Sequence, residues 1–127
     1  MRALLDTHIF ISLARQGTEN LSSRARKIVE DEANDLLISA ISIAEIAIKA
    51  AINKLEINAP DTLKAVDDLC LIMIPFEPRH AIRMFDLPLH HRDPFDRMLI
   101  ATALSEDIPI LSGDTAFKRY RGLRVIS

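Results

Sequence analysis

Asp6, Glu45, Asp96 and Asp114 are carboxylates from four stretches far apart in the chain. Several carboxylates held close together repel one another, and each is pushed towards protonation. A hard divalent cation removes that penalty, and Mg²⁺ or Mn²⁺ prefers oxygen ligands. Such an ion lowers the pKa of bound water and stabilises the attacking and leaving oxygens of an in-line phosphoryl displacement. Rival chemistries find little here. The chain has one cysteine and no Cys/His zinc pattern, and no Cys–His pair or Ser–His–Asp order competes convincingly as a nucleophilic site. With three glycines it also lacks a Gly-rich phosphate loop, which disfavours dinucleotide and P-loop chemistry.

The stretch from His90 to Ala103 is the densest. Asp93 is a good N-cap and Pro94 fits the first helical position. Phe95, Met98, Leu99, Thr102 and Ala103 recur at helical spacing, so that face points inward. Asp96 follows Asp93 by three residues, close to it on the first turn. Capping accounts for Asp93 completely. It accounts for Asp96 only in part, because an acid there is welcome to the helix dipole but not required.

The other elements must bring the remaining acids to the same place. Arg2 to Thr7 reads as a short buried strand ending on an acid. A helix follows from His8 to Arg15, closed by Gly17, and a second runs from Ser22 or Ser23 to about Glu32. Leu36 to Ser39 is a strand, and Ser42 begins a strongly apolar helix to Ile52. Pro60–Asp61 opens a helix to about Cys70, Leu71 to Ile74 is a strand, and Pro78 to Phe85 a short helix. After the Asp93 helix come a strand at 109–112, a short helix from Asp114 to about Arg119, and a last strand at 124–126.

Strands alternating with helices predict an α/β fold, a parallel sheet of about five strands with helices on both faces. The strands are short apolar runs without alternation, as doubly covered strands should be. Ligands of such sheets bind outside the carboxyl ends of the strands. Asp6 ends the first strand, Asp114 lies just past the fourth, Glu45 is early in the helix leaving the second, and Asp96 begins a helix that runs back against the strands. All four map to one rim.

At 127 residues, 49% apolar and 27% charged, the chain reads as one globular domain over residues 1–127. No apolar run approaches a membrane span, and Asp6 interrupts the region where an export signal would be apolar. Cys70, in an apolar segment, reads as a buried inert thiol, and a cytoplasmic location is expected. The net charge of −2 gives no global basic footprint for nucleic acid, although charges can be segregated.

On four motifs the sequence resembles the PIN-domain ribonucleases, and more narrowly the VapC-type toxins of bacterial toxin–antitoxin pairs. These are Leu4-Leu5-Asp6-Thr7-His8, Ser42 to Lys49, His91 to Ala101, and Ile110-Leu111-Ser112-Gly113-Asp114 ahead of Phe117 and Tyr120. The resemblance covers nearly the whole chain in the same motif order. It implies a Mg²⁺- or Mn²⁺-dependent endoribonuclease in which a metal-bound water attacks phosphorus, leaving a 5′-phosphate and a 3′-hydroxyl. It also implies a homodimer neutralised by an antitoxin protein. Position by position, Asp6, Glu45, Asp96 and Asp114 match the family's acidic metal cluster, with Asp93 as a cap or supporting acid. Two departures stand out. Asn53 replaces a glycine common after the Glu45 helix, and Ser112-Gly113 stands where a threonine is usual.

Other residues have two readings each. Thr7 could bind a metal-bound water or a phosphate, or cap the helix it precedes. Lys49, one turn beyond Glu45, could make an ion pair or touch phosphate. Arg92 and Arg97 could grip RNA phosphates or be solvated. Around Lys118 to Arg121, Tyr120 could stack on a base or pack in the core. His90 and His91 read as loop residues. Ile9, Phe10 and the apolar helix to Ile52 could form a dimer surface and a groove for an antitoxin helix, or simply pack inward. Two rival functions remain. One is an inactive RNA-binding module, which would gain nothing from four acids. The other is a phosphoryl-transfer or receiver-type domain with Asp6 as nucleophile, weakened because His8 stands where a second acid belongs.

Overall fold

The computed structural model describes residues 1–127. Its centre is a five-stranded sheet of β1 (Arg2–Leu5), β2 (Asp35–Ser39), β3 (Ile72–Ile74), β4 (Ile110–Leu111) and β5 (Val125–Ile126), in the order β3-β2-β1-β4-β5. Every neighbouring pair is parallel. The chain moves outward from β1 to β3, returns, and continues on the other side with β4 and β5. The direction therefore reverses between β1 and β4, which opens a crevice at their carboxyl ends.

Successive strand residues feed opposite faces of the sheet. Ala3, Leu5, Leu36, Ile38 and Leu111 enter one core, together with Phe10, Leu13, Ala25, Ile46 and Val66. Those partners come from α1 (Thr7–Gln16), α2 (Ser23–Glu30), α3 (Ala40–Ala51) and α4 (Ala59–Asp68). Leu4, Leu37 and Ile110 enter the other core with Leu99, Ile100, Ala103, Phe117 and Tyr120. That side is covered by α5 (Pro78–Arg83) and α6 (Pro94–Glu106). Both faces are covered, which is why the strands carry continuous apolar runs.

Several expectations need correction. The apolar helix α3 starts at Ala40, not Ser42, because Ser39 caps it by accepting the Ile41 N–H at 3.0 Å. The short helix expected after Asp114 is present as a 3-10 helix over Thr115–Arg119, capped by Asp114. Phe10 is wholly buried and lines no outer surface. Five consecutive residues of α6, Leu99 to Ala103, are buried, while Phe95 and Met98 are only half-buried. A helix pressed between the sheet, α3 and α5 is covered on more than one side.

Cys70 is exposed, not buried. It closes α4 in the left-handed conformation, φ 53°. Its N–H donates to the Asp67 carbonyl, and the Leu71 N–H donates to that of Val66, both at 3.0 Å. This Schellman ending turns the C′ side chain out to solvent whatever its polarity. Asn53, at φ 59°, ends α3 in the same way, with Asn53 N–H on Ala50 and Lys54 N–H on Lys49. That is a position where asparagine substitutes readily for glycine.

Candidate metal centre at the carboxyl edge of the sheet

Asp6 leaves β1 at the crevice. Its backbone N–H donates to the Leu111 carbonyl of β4, and its Oδ1 accepts the Ile9 N–H at 2.7 Å, so it caps α1. The capping role considered for Thr7 thus falls to Asp6. Thr7 is buried and donates from Oγ1 to the Ser42 hydroxyl at 2.9 Å, tying α1 to α3. Burial pushes the Asp6 carboxyl above the usual range, and the Asp114 charge adds to this. A hydrogen bond from Ser112, the Ile9 N–H and the His8 charge act in the opposite sense.

Asp114 lies two residues past that buried serine. Its N–H donates to Ser112 Oγ at 3.0 Å, which leaves the hydroxyl proton for Asp6. Asp114 Oδ1 accepts the Ala116 N–H at 2.9 Å and so caps the following turn.

Glu45 is 2% exposed. Oε2 accepts from Lys49 Nζ at 2.7 Å, the i, i+4 ion pair. Oε1 is buried and has no hydrogen-bond partner. An orphaned oxygen on a buried carboxylate is costly unless something cationic or protic occupies the space it faces. The Lys49 ammonium is held above its usual range by the hydrogen bond to Glu45, with support from Asp93 and Asp96.

Asp93 caps α6, its Oδ1 accepting the N–H groups of Phe95 at 2.9 Å and Asp96 at 3.1 Å. The Asp96 carboxyl, one turn into the site, is pushed up to about 7. Burial is the largest cause, followed by the charges of Asp93, Glu45, Asp6 and Asp114 in that order. Carboxylates from β1, α3, the start of α6 and the segment after β4 therefore lie near enough to act on the charge of Asp96.

The two arginines beside the acids differ. Arg92 is exposed and makes no side-chain hydrogen bond. Arg97 is committed to the protein, donating to the carbonyls of Pro88 (2.8 Å) and Leu87 (3.3 Å) and to the Tyr120 hydroxyl (3.2 Å). Tyr120 is 2% exposed, so its ring packs in the core and offers no stacking face, whereas Lys118, Arg119 and Arg121 remain exposed.

The reading of His91 as a plain loop residue missed a contact. Its Nδ1 is 2.7 Å from the Tyr120 hydroxyl, and its Nε2 is 3.4 Å from Asp96 Oδ2. The signal available was a histidine five residues before a site acid. Nothing local said which way the ring would turn.

A tighter cluster lies elsewhere. Ligating atoms of Glu77, His80 and Glu106 all fall within 4.8 Å of one another, a spacing no three of the rim acids meet. It sits at the far end of α6, about 15 Å of helix from Asp96. His80 Nδ1 accepts the Glu77 backbone N–H at 3.0 Å, so the proton is on Nε2, which faces Glu106 Oε1 at 2.8 Å. A metal at Nε2 would move that proton to Nδ1 and set two N–H groups against each other. Arg79 already neutralises both glutamates. This cluster braces α5 against α6 and is not a metal centre.

The comparisons agree with this architecture. A VapBC2 structure from Rickettsia felis, bound to a promoter DNA fragment, superposes with a TM-score of 0.74 at 18% identity. That match covers 99% of this chain and 98% of that one. VapBC-1 from nontypeable Haemophilus influenzae gives 0.71 at 20% identity, over 100% and 98%. VapBC-5 from Mycobacterium tuberculosis, of the VapBC family of toxin–antitoxin systems, gives 0.63 at 14%, over 98% and 97%. At these identities the likeness is one of fold. No curated protein matches the sequence significantly. The family model for the PIN domain matches residues 3–123, and the chain therefore belongs to the PIN domain family.

Proposed function

We propose that this PIN-domain chain is a metal-dependent endoribonuclease and the toxin of a toxin–antitoxin pair. The observation that carries the reading is the gathering of buried or part-buried acids near the β1–β4 crevice, with the buried Glu45 carboxylate leaving one oxygen unpartnered and the Asp96 carboxyl raised by burial and by its neighbours. A bare acidic rim repels a phosphodiester. The same rim filled by a divalent cation attracts one, and the all-oxygen donor set and the orphaned Glu45 Oε1 fit such a cation. Asp6, Glu45, Asp96 and Asp114 would hold it. Once bound, the cation supplies Lewis acidity, opposing charge on the scissile phosphate and making a nucleophile of water at neutral pH.

The chain's own groups prepare that site. Asp93 fixes the first turn of α6 and so the origin of Asp96. Lys49 holds one Glu45 oxygen and leaves the other unpartnered for a cation. Ser112 spans Asp6 and the Asp114 backbone, setting the distance between strands β1 and β4 at their ends. Exposed Arg92, Lys118, Arg119 and Arg121 are available to phosphates farther along the strand. RNA as substrate and a homodimer rest on the resemblance of the motifs, and an antitoxin partner also on the VapBC toxin–antitoxin structures that share this fold.

The test is purified protein with Mn²⁺ or Mg²⁺ against single-stranded RNA, structured RNA and DNA, with chelator controls. Cleavage of RNA that stops with chelator, is lost in Asp6→Asn and Asp96→Asn, and leaves 5′-phosphate ends is expected. No cleavage by the wild type, together with unchanged growth arrest on expressing both variants, overturns the proposal.

A further inference from the structure

A line of hydrogen bonds outside the acid cluster ends on His91, whose other ring nitrogen faces the Asp96 carboxyl without a hydrogen bond. Arg97 has only donors, and its Nη1 lies 3.2 Å from the Tyr120 hydroxyl. Tyr120 oxygen therefore accepts there, and its own proton is free for His91 Nδ1 at 2.7 Å. With Nδ1 accepting, the neutral imidazole carries its proton on Nε2. That nitrogen is buried, has no other partner, and lies 3.4 Å from Asp96 Oδ2. The ring packs against Phe117 and Tyr120, with centroids at 5.9 and 5.5 Å, which favours its present orientation. Arg97 is in turn anchored on the carbonyls of Leu87 and Pro88.

We propose that His91 is a positioning residue, whose Nε2–H, set by Tyr120 and Arg97, draws Oδ2 of Asp96 inward and leaves Oδ1 for the cation. Resting on the metal-centre reading, this adds a residue outside the acids on which cation affinity depends. The separation of 3.4 Å is long for a hydrogen bond, and a small turn of the Asp96 carboxyl would close it. A carboxylate with one oxygen engaged loses a rotational freedom that it would otherwise lose on binding metal.

The test uses the full chain and two readouts. Ring-nitrogen NMR at about pH 8, where an ordinary histidine is neutral, reports which nitrogen holds the proton. We expect Nε2–H in the wild type, a shift of that resonance in Asp96→Asn, and a mixture of tautomers in Tyr120→Phe. Mn²⁺ titration by calorimetry gives the second readout. His91→Phe keeps the ring packing and should weaken binding about 10- to 100-fold. His91→Gln, whose amide N–H reaches roughly the Nε2 position, should restore most of it. A proton on Nδ1 in the wild type, or unchanged Mn²⁺ affinity in His91→Phe, overturns the proposal. Wild-type protein that binds no Mn²⁺ and cuts no RNA, yet keeps Nε2–H coupled to Asp96, sinks the nuclease reading and leaves the positioning contact standing.

Discussion

Asp96 is where a single side chain has the largest effect. Its folded pKa of about 7 lies above the unfolded value of 3.8, so the folded state holds this proton more tightly. Its contribution to stability is therefore full below about pH 4 and is lost as pH rises through about 7, a difference on the order of a few kcal/mol. Burial acts on Asp6 in the same direction. Asp96→Asn should accordingly raise the metal-free Tm at about pH 8 and change it little near pH 4, as read by thermal melts across pH. An Asn variant no more stable than wild type at the higher pH would mean that the carboxylates are not crowded as described. Proton and cation compete for the same oxygens, so Mn²⁺ affinity should climb as pH passes through about 7.

At the scale of elements, helix ends decide more than helix middles. Three helices close on left-handed residues other than glycine: Asn53, Cys70 and Asp107, at φ 59°, 53° and 53°. A β-carbon in that region costs roughly 1–2 kcal/mol, least for asparagine and aspartate. Cys70→Gly should therefore raise the unfolding free energy, with Asn53→Gly giving a smaller gain, measured by denaturant unfolding. At the other end of a helix, Asp93→Ala removes the acceptor for two N–H groups of α6. It should destabilise by about 1 kcal/mol. The loss should shrink above about pH 7, because the same change relieves charge on Asp96. A cap deletion independent of pH would count against Asp93 acting on Asp96.

For the molecule as a whole, β1 is the hinge of the design. It is the central strand, its side chains feed both cores, and its end opens the crevice. Leu4, fully buried against Leu99 and Ile110, has no room to be replaced. Leu4→Ala should cost roughly 2–5 kcal/mol. Its activity should fall only in proportion to the folded fraction, since Leu4 is buried in the core and is not one of the rim acids. Saturating Mg²⁺ should raise the wild-type Tm, because ligand binds only the folded rim, and this gain should vanish in Asp6→Asn. Equal stabilisation of both proteins would place the ion elsewhere.

Much of this was legible from the sequence because it is written in local codes. Short continuous apolar runs that take turns with capped helices specify an α/β fold, and an acid after a strand or at a helix start lies at the carboxyl edge once the strands are parallel. Asp93-Pro94 announces its own helix start, and Glu45 with Lys49 announces an i, i+4 pair. Only the tertiary structure could decide contacts that join segments distant in sequence. Examples are Thr7 turned onto Ser42 instead of capping α1, Tyr120 buried rather than open to a base, and Arg97 spent on loop carbonyls. His91 facing Asp96 across a ring held by Tyr120 belongs with them. Periodicity tells which face of an element is buried, but not what waits on the other side. Side-chain direction at a crevice is set by packing against partners that no local spacing encodes.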